Sequence, residues 1–195
     1  PNKGQRTELS AEYAGGFLGG DKEFYKLELR SAWYFPGFAP GHVIEVVGRT
    51  GVADSLTSDD VPFYDRYNLG GMYTLRGFEY RDVSPREAPF DEPIGGDTFW
   101  FGSIEYSIPV IERLRVAAFY DIGNVSSSPY HWDFKNYSDN FGFGIRLNLP
   151  IGPLRLDYGI PIHHDKYNDG SGQFQFGVGW ERPFYGAAMW VFMLG

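Results

Sequence analysis

The chain has 195 residues with 26 glycines, 13 prolines and 18% aromatics, a composition that favours short strands and tight turns over helices and suits one domain or one all-β barrel. A formal net charge of −8 argues against a nucleic-acid partner, and the absence of cysteine excludes a disulfide scaffold and thiol chemistry. No apolar run reaches the length of about 18 residues that a membrane helix needs, and the opening PNKGQRTEL is not a signal peptide, so either a leader was removed or the chain is a fragment of something longer.

Period-2 alternation predicts eight strands in chain order. In 6–14, Thr7, Leu9, Ala11 and Tyr13 oppose Arg6, Glu8, Ser10 and Glu12. In 25–35, Tyr25, Leu27, Leu29 and Trp33 oppose Lys26, Glu28 and Arg30. Ile44 and Val46 oppose Glu45 and Arg49 in 43–52, and Trp100, Ile104, Tyr106 and Ile108 oppose Ser103, Glu105 and Ser107 in 98–108. In 113–122, Leu114, Val116, Tyr120 and Ile122 oppose Arg113, Arg115 and Asp121. Phe141, Phe143, Ile145 and Leu147 oppose Arg146 and Asn148 in 140–149, and Leu154, Leu156 and Tyr158 oppose Arg155 and Asp157 in 154–160. The last, 173–181, sets Phe174, Phe176, Val178 and Trp180 against Gln173, Gln175 and Glu181.

Alternation alone does not say which face looks inward: a soluble barrel is apolar inside and an outer-membrane barrel apolar outside. Connection lengths favour the membrane barrel. The links PGFAPG, PVIE and PIGP after the second, fourth and sixth segments are short, and the others are long. Short turns at one end and long loops at the other are the membrane-barrel pattern. Trp33, Phe35, Trp100, Tyr106, Tyr120, Phe141 and Trp180 lie near strand ends on the apolar face, as interfacial girdles require. The opposite face mixes both signs, with Arg6, Lys26, Arg30, Arg49, Arg113, Arg115, Arg146 and Arg155 against Glu8, Glu12, Glu28, Glu45, Glu105, Asp121, Asp157 and Glu181. Such a lumen pairs its charges internally rather than selecting one sign of ion.

The long link at about 53–97 contains LGGMYTLRGFEYRD (69–82). That stretch resembles the lumenal-loop signature of the BamA family of outer-membrane protein insertases and their translocator relatives. VAAFYDIGNV (116–125), FGFGIRLNLPIGPLRLDYGIP (141–161) and GQFQFGVGW (172–180) are similar to family segments in the same order, as are EFYKLELRSAWYFP, VVGRTG and PFYDRYNLGG upstream. The resemblance implies an all-β, antiparallel up-and-down transmembrane β-barrel, about eight strands in residues 1–184, equivalent to the ninth through sixteenth of a sixteen-stranded barrel. It implies that the loop folds back into the lumen and docks Arg76 on Glu105 and Asp121, with Gly77 allowing a turn or close approach and Phe78 packing on the wall. It also places an assembly signal and weak seam at Gln173, Phe174, Phe176, Gly179 and Trp180, with Phe184 as a terminal aromatic and Gly179 as a kink.

The function that the resemblance implies is outer-membrane protein folding and insertion, without bond-making chemistry and without a cofactor. The alternatives are a stand-alone eight-stranded structural barrel, or the barrel of a TamA-like or two-partner-secretion translocator. The implied partners are outer-membrane lipids, unfolded outer-membrane protein clients, the other half-barrel, periplasmic POTRA domains and accessory lipoproteins, in the bacterial outer membrane. Residues 185–195, YGAAMWVFMLG, are an apolar tail of uncertain origin, apolar on both faces and too short for a membrane helix. His163, His164 and Asp165 lack further ligands at metal-site spacing, DKYNDGSG lacks the final Glu of a calcium loop, and Ser126, Ser127 and Ser128 have no local base. These segments are read as solvated loops.

Overall fold

The computed structural model describes residues 3–14, 23–56, 61, 66–72, 74–87, 92–168, 170–178 and 190–194. The eight expected strands are present as β1 (Gly4–Ala14), β2 (Phe24–Pro36), β3 (Val43–Ser55), β6 (Thr98–Ile111), β7 (Leu114–Ser126), β8 (Ser138–Leu149), β9 (Gly152–His163) and β10 (Gln173–Val178). The segment between β3 and β6 holds a two-stranded ribbon, β4 (Arg86–Glu87) and β5 (Glu92–Pro93). A further strand, β11 (Trp190–Leu194), lies in the apolar tail and pairs antiparallel with β1, from Thr7 opposite Leu194 to Ala11 opposite Trp190. The main sheet runs β10-β9-β8-β7-β6-β3-β2-β1-β11, each neighbour antiparallel, so it is an up-and-down meander with β10 at one edge.

The connections 37–42, 112–113 and 150–151 gather at one end of the meander, and the long ones, 15–23, 56–97, 127–137 and 164–172, at the other. Pro161 stands at the one irregularity between β8 and β9: Asn140 pairs with Pro161 and Asp139 with His163, leaving Ile162 as the extra residue. A proline cannot donate to the ladder, and a bulge is where a strand tolerates it.

Burial decides the orientation of the two faces. Leu9, Leu27, Leu29, Ile104, Phe143, Ile145, Leu156, Phe174 and Phe176 are exposed, while Glu8, Arg30, Glu105, Asp121, Arg146, Arg155 and Asp157 are buried. A soluble barrel would show the reverse; an apolar outside over a polar inside is the membrane arrangement. Aromatic rings gather at both ends of the apolar band. Trp33 and Phe35 stack near the short turns, where Phe38 also stacks on Tyr106. At the loop end Trp100 meets Phe134.

The inner face is not uniformly charged. Ala32, Val47, Phe99, Phe101 and Val125 form an apolar patch, on which the loop lays Leu69, Leu75, Phe78 and Val83. The loop is therefore a plug with its own core. Its amphipathic packing, rather than propensity, holds an irregular segment inside a barrel wall.

Candidate functional site in the lumen

The loop enters through a narrow neck closed by its own backbone. Gly71 donates its N–H to the carbonyls of Leu75 and Phe78 at 3.2 and 3.1 Å, and Leu69 and Val83 exchange both backbone bonds. Gly70 holds φ +120°, and a Cβ there would sit 2.2 Å from the Glu79 carbonyl oxygen. This turn presents Arg76 at its tip, with no solvent exposure.

Arg76 uses all of its donors. Nε and Nη2 donate to the two oxygens of Asp121 at 2.9 and 3.0 Å, a bidentate fork, and the Arg76 backbone N–H reaches Asp121 Oδ2 at 3.2 Å. Nη1 donates to Glu105 Oε1 at 2.7 Å and to Asp157 Oδ2 at 3.3 Å. Ser103 and Asn140 donate to Asp121 at 2.6 and 3.3 Å. Below the guanidinium lies the ring of Phe119, its centroid 3.5 Å from Cζ. Burial alone would lower the Arg76 pKa; Asp121 and Glu105 outweigh it and hold the group well above its ordinary value. Arg146 bridges Glu105 and Asp157, and Arg155 stands 3.4 Å from Asp157. Three guanidinium groups thus face three carboxylates, so the buried cluster is close to neutral, which is the condition for keeping charges out of water.

The loop approaches the wall more closely than side chains would allow. A Cβ on Gly77 would lie 2.6 Å from the Asn140 Cβ and 3.1 Å from the Pro161 nitrogen. That nitrogen carries no proton, so the loop covers it without orphaning a donor. A Cβ on Gly159 would lie 2.6–2.8 Å from the backbone of Gly77 and Arg76. Gly77 is absent from the positive-φ glycines, so its role is close approach and not a left-handed turn. The Phe119 ring tip occupies the place of a Cβ on Gly142, its cross-strand partner, at 2.5 Å. Phe119→Leu should remove the cation–π contact and weaken loop docking by about 2 kcal/mol, the scale for a desolvated pair; denaturant midpoints of loop protection would check it.

Of the residues singled out in the sequence, Arg76, Gly77, Phe78, Glu105 and Asp121 meet at this one place. Gln173, Phe174 and Phe176 lie on the edge strand β10, with Phe174 and Phe176 outward and exposed. Gly179, Trp180 and Phe184 lie outside the described residues. Sequence reasoning misses Asp157, Arg146 and Arg155 as members of the cluster, although all three fall on the charged face. It misses Phe119, Gly159 and Gln175 as loop contacts altogether. His163 and His164 diverge, His163 Nδ1 to Asp139 at 2.8 Å and His164 Nδ1 to the Asp165 carbonyl at 2.9 Å. Among the described residues no three His, Asp or Glu side chains gather as metal ligands.

The Omp85 superfamily domain matches residues 1–181. The outer membrane protein assembly factor BamA of Nitratidesulfovibrio vulgaris is 35% identical over 187 residues, 92% of this chain and 23% of that protein. A SAM50-like protein of Drosophila melanogaster is 28% identical across 93% of this chain and 41% of its own length. The crystal structure of BamA from Haemophilus ducreyi lacking POTRA domains 1–3 superposes with a TM-score of 0.77 at 27% identity, over 90% of this chain and 38% of that one. The chain spans less than half the length of each of these relatives. An inside-out meander, a lumenal arginine loop and matches that run nearly end to end agree: the chain belongs to the Omp85 superfamily.

Proposed function

We propose that this chain is half of an assembly-factor barrel that folds and inserts outer-membrane proteins. It is an outer-membrane barrel segment, and its activity makes and breaks no covalent bond. The observation that carries the reading is the pairing of a braced lumen with an edge strand that, among the described residues, is bonded on one side only. The Arg76 cluster braces β6 to β9 from inside, whereas among those residues β10 is bonded to β9 alone and ends the sheet on that side. A weakly held edge strand offers its unpaired backbone groups to an incoming strand, which is β-augmentation within a membrane. The seam also thins the adjacent bilayer by mismatch, which lowers the barrier to insertion. Outer-membrane lipids and unfolded barrel clients are the partners of this step; the other half-barrel, POTRA domains and accessory lipoproteins would complete the machine.

The test is a chimera. Residues 3–178 replace the matching segment of the Nitratidesulfovibrio vulgaris relative, and the product is reconstituted in liposomes. Folding of a urea-unfolded outer-membrane barrel, followed by its gel mobility without heating, should run faster than in empty liposomes. A chimera that folds yet leaves the client at the empty-liposome rate refutes an insertase. Passage of the client into the vesicle interior would identify a translocator.

A further inference from the structure

The side of β10 that faces the lumen carries a contact that neither the seam nor the arginine cluster accounts for. Gln175 Nε2 donates to the backbone carbonyls of Arg76 at 3.3 Å and Phe78 at 3.1 Å, across 99 and 97 residues of sequence. Those two carbonyls flank Gly77, which has no side chain to cover them. The register partner of Gln175 on β9 is Asp157, itself a ligand of Arg76 Nη1. The same terminal hairpin grips the loop a second time, further out. Asn168, in the β9–β10 connection, donates from Nδ2 to the Asp82 carbonyl at 3.0 Å and to Asp82 Oδ2 at 2.7 Å, while Arg86 holds the other Asp82 oxygen at 2.9 Å. Gly159 of β9 meets the backbone of Arg76 and Gly77 between these two points.

We propose that Gln175 is a positioning residue that latches the edge strand to the docked loop, so that β10 is fully held only while Arg76 is seated. The outer face of β10 supplies little of this hold: Phe174 leans on Tyr158 of β9, and Phe174, Phe176 and Val178 stay 72, 66 and 63% exposed. What fixes the strand is its ladder with β9 and its inward contact with the loop. An amide is the suitable group: one NH₂ has two protons for two carbonyls and adds no charge beside Asp157. The consequence is directional. Withdrawal of the loop frees β10, and the seam is then opened from within the lumen. The functional weight of the latch rests on the proposed seam; its existence does not.

Hydrogen–deuterium exchange of the whole chain in lipid nanodiscs tests it, read on peptides covering 173–178 and 69–87, with chymotryptic cleavage after Phe78 as a separate report of docking. Gln175→Leu keeps the bulk and removes the donors, and should raise exchange in 173–178 on the order of tenfold with Phe78 still protected. Gln175→Glu keeps the length but offers only acceptors to the two carbonyls, and should lose protection as Gln175→Leu does. Arg76→Ala should release both peptides. The latch is refuted if Gln175→Leu exchanges like the parent, if Gln175→Glu keeps the parent's protection, or if Arg76→Ala frees the loop and leaves 173–178 protected. A Gln175→Leu chain that loses protection but, in the chimera, inserts clients at an unchanged rate supports the latch and counts against the seam.

Discussion

Arg76→Ala should expel the loop from the lumen and expose Phe78 to chymotrypsin, with a loss of about 3–5 kcal/mol, the scale for breaking a buried ion pair by removing one partner. The reasoning is one of charge left behind. In the parent, Asp121 has no solvent exposure and takes the Arg76 fork, the Arg76 backbone N–H and two further side chains. Alanine keeps at most the backbone bond. Glu105 and Asp157 keep Arg146, and Asp157 keeps Arg155, whereas Asp121 loses the bidentate fork that Arg76 gives it. The wall then carries a buried carboxylate that has lost its bidentate cation, and water enters to solvate it by displacing the loop. Arg76→Lys should fall between the two. An ammonium is a point charge on a flexible stem and cannot fork onto Asp121, reach Glu105 and lie flat on Phe119 at once. If Phe78 stays resistant in Arg76→Ala, the charges do not hold the loop, and the apolar patch of Phe99, Phe101 and Val125 does.

How far the sequence discloses this site depends on what kind of signal each residue leaves. The two faces of each strand are legible because a side chain's direction in a strand has period two, and the meander is legible because its links alternate in length. The loop tip is legible through its local string, Leu75-Arg76-Gly77-Phe78, and the wall partners Glu105 and Asp121 through their strand faces. Asp157 stands 81 residues from Arg76 and reaches it only once β7, β8 and β9 lie side by side. The apolar inner patch escapes notice because Val47, Phe99 and Phe101 break the alternation that defines their strands. β11 escapes because a segment apolar on both faces has no period to read. Gln173 and Gln175 share a face in the sequence, and only register distinguishes them: Gln173 lies opposite Gly159, Gln175 opposite Asp157.

Gly159→Ala should undock the loop as fully as loss of the arginine, with every charge still in place. The added methyl would lie 2.6 Å from the Gly77 nitrogen and 2.7 and 2.8 Å from the Arg76 carbonyl carbon and oxygen. All three are backbone atoms, so no rotamer change makes room. Overpacking a well-filled interior costs about 1–3 kcal/mol when side chains can yield, and more when they cannot. The wall cannot yield either: β9 is bonded on one side to β8 and on the other to β10. The loop must therefore shift outward, and that shift breaks a set of bonds with narrow tolerance. Arg76 Nη1 to Asp157 is already 3.3 Å, and Gln175 to the Arg76 carbonyl is also 3.3 Å; both would pass beyond hydrogen-bond range with a displacement of well under an ångström. Gly77→Ala should act the same way from the loop side: its methyl would lie 2.6 Å from the Asn140 Cβ, which the backbone fixes, and 3.1 Å from the Pro161 nitrogen. Chymotryptic cleavage after Phe78 should therefore rank both Gly159→Ala and Gly77→Ala above the parent. If Gly159→Ala remains as resistant as the parent, the close approach of loop and wall is not what the site depends on. Docking would then be a matter of charge alone.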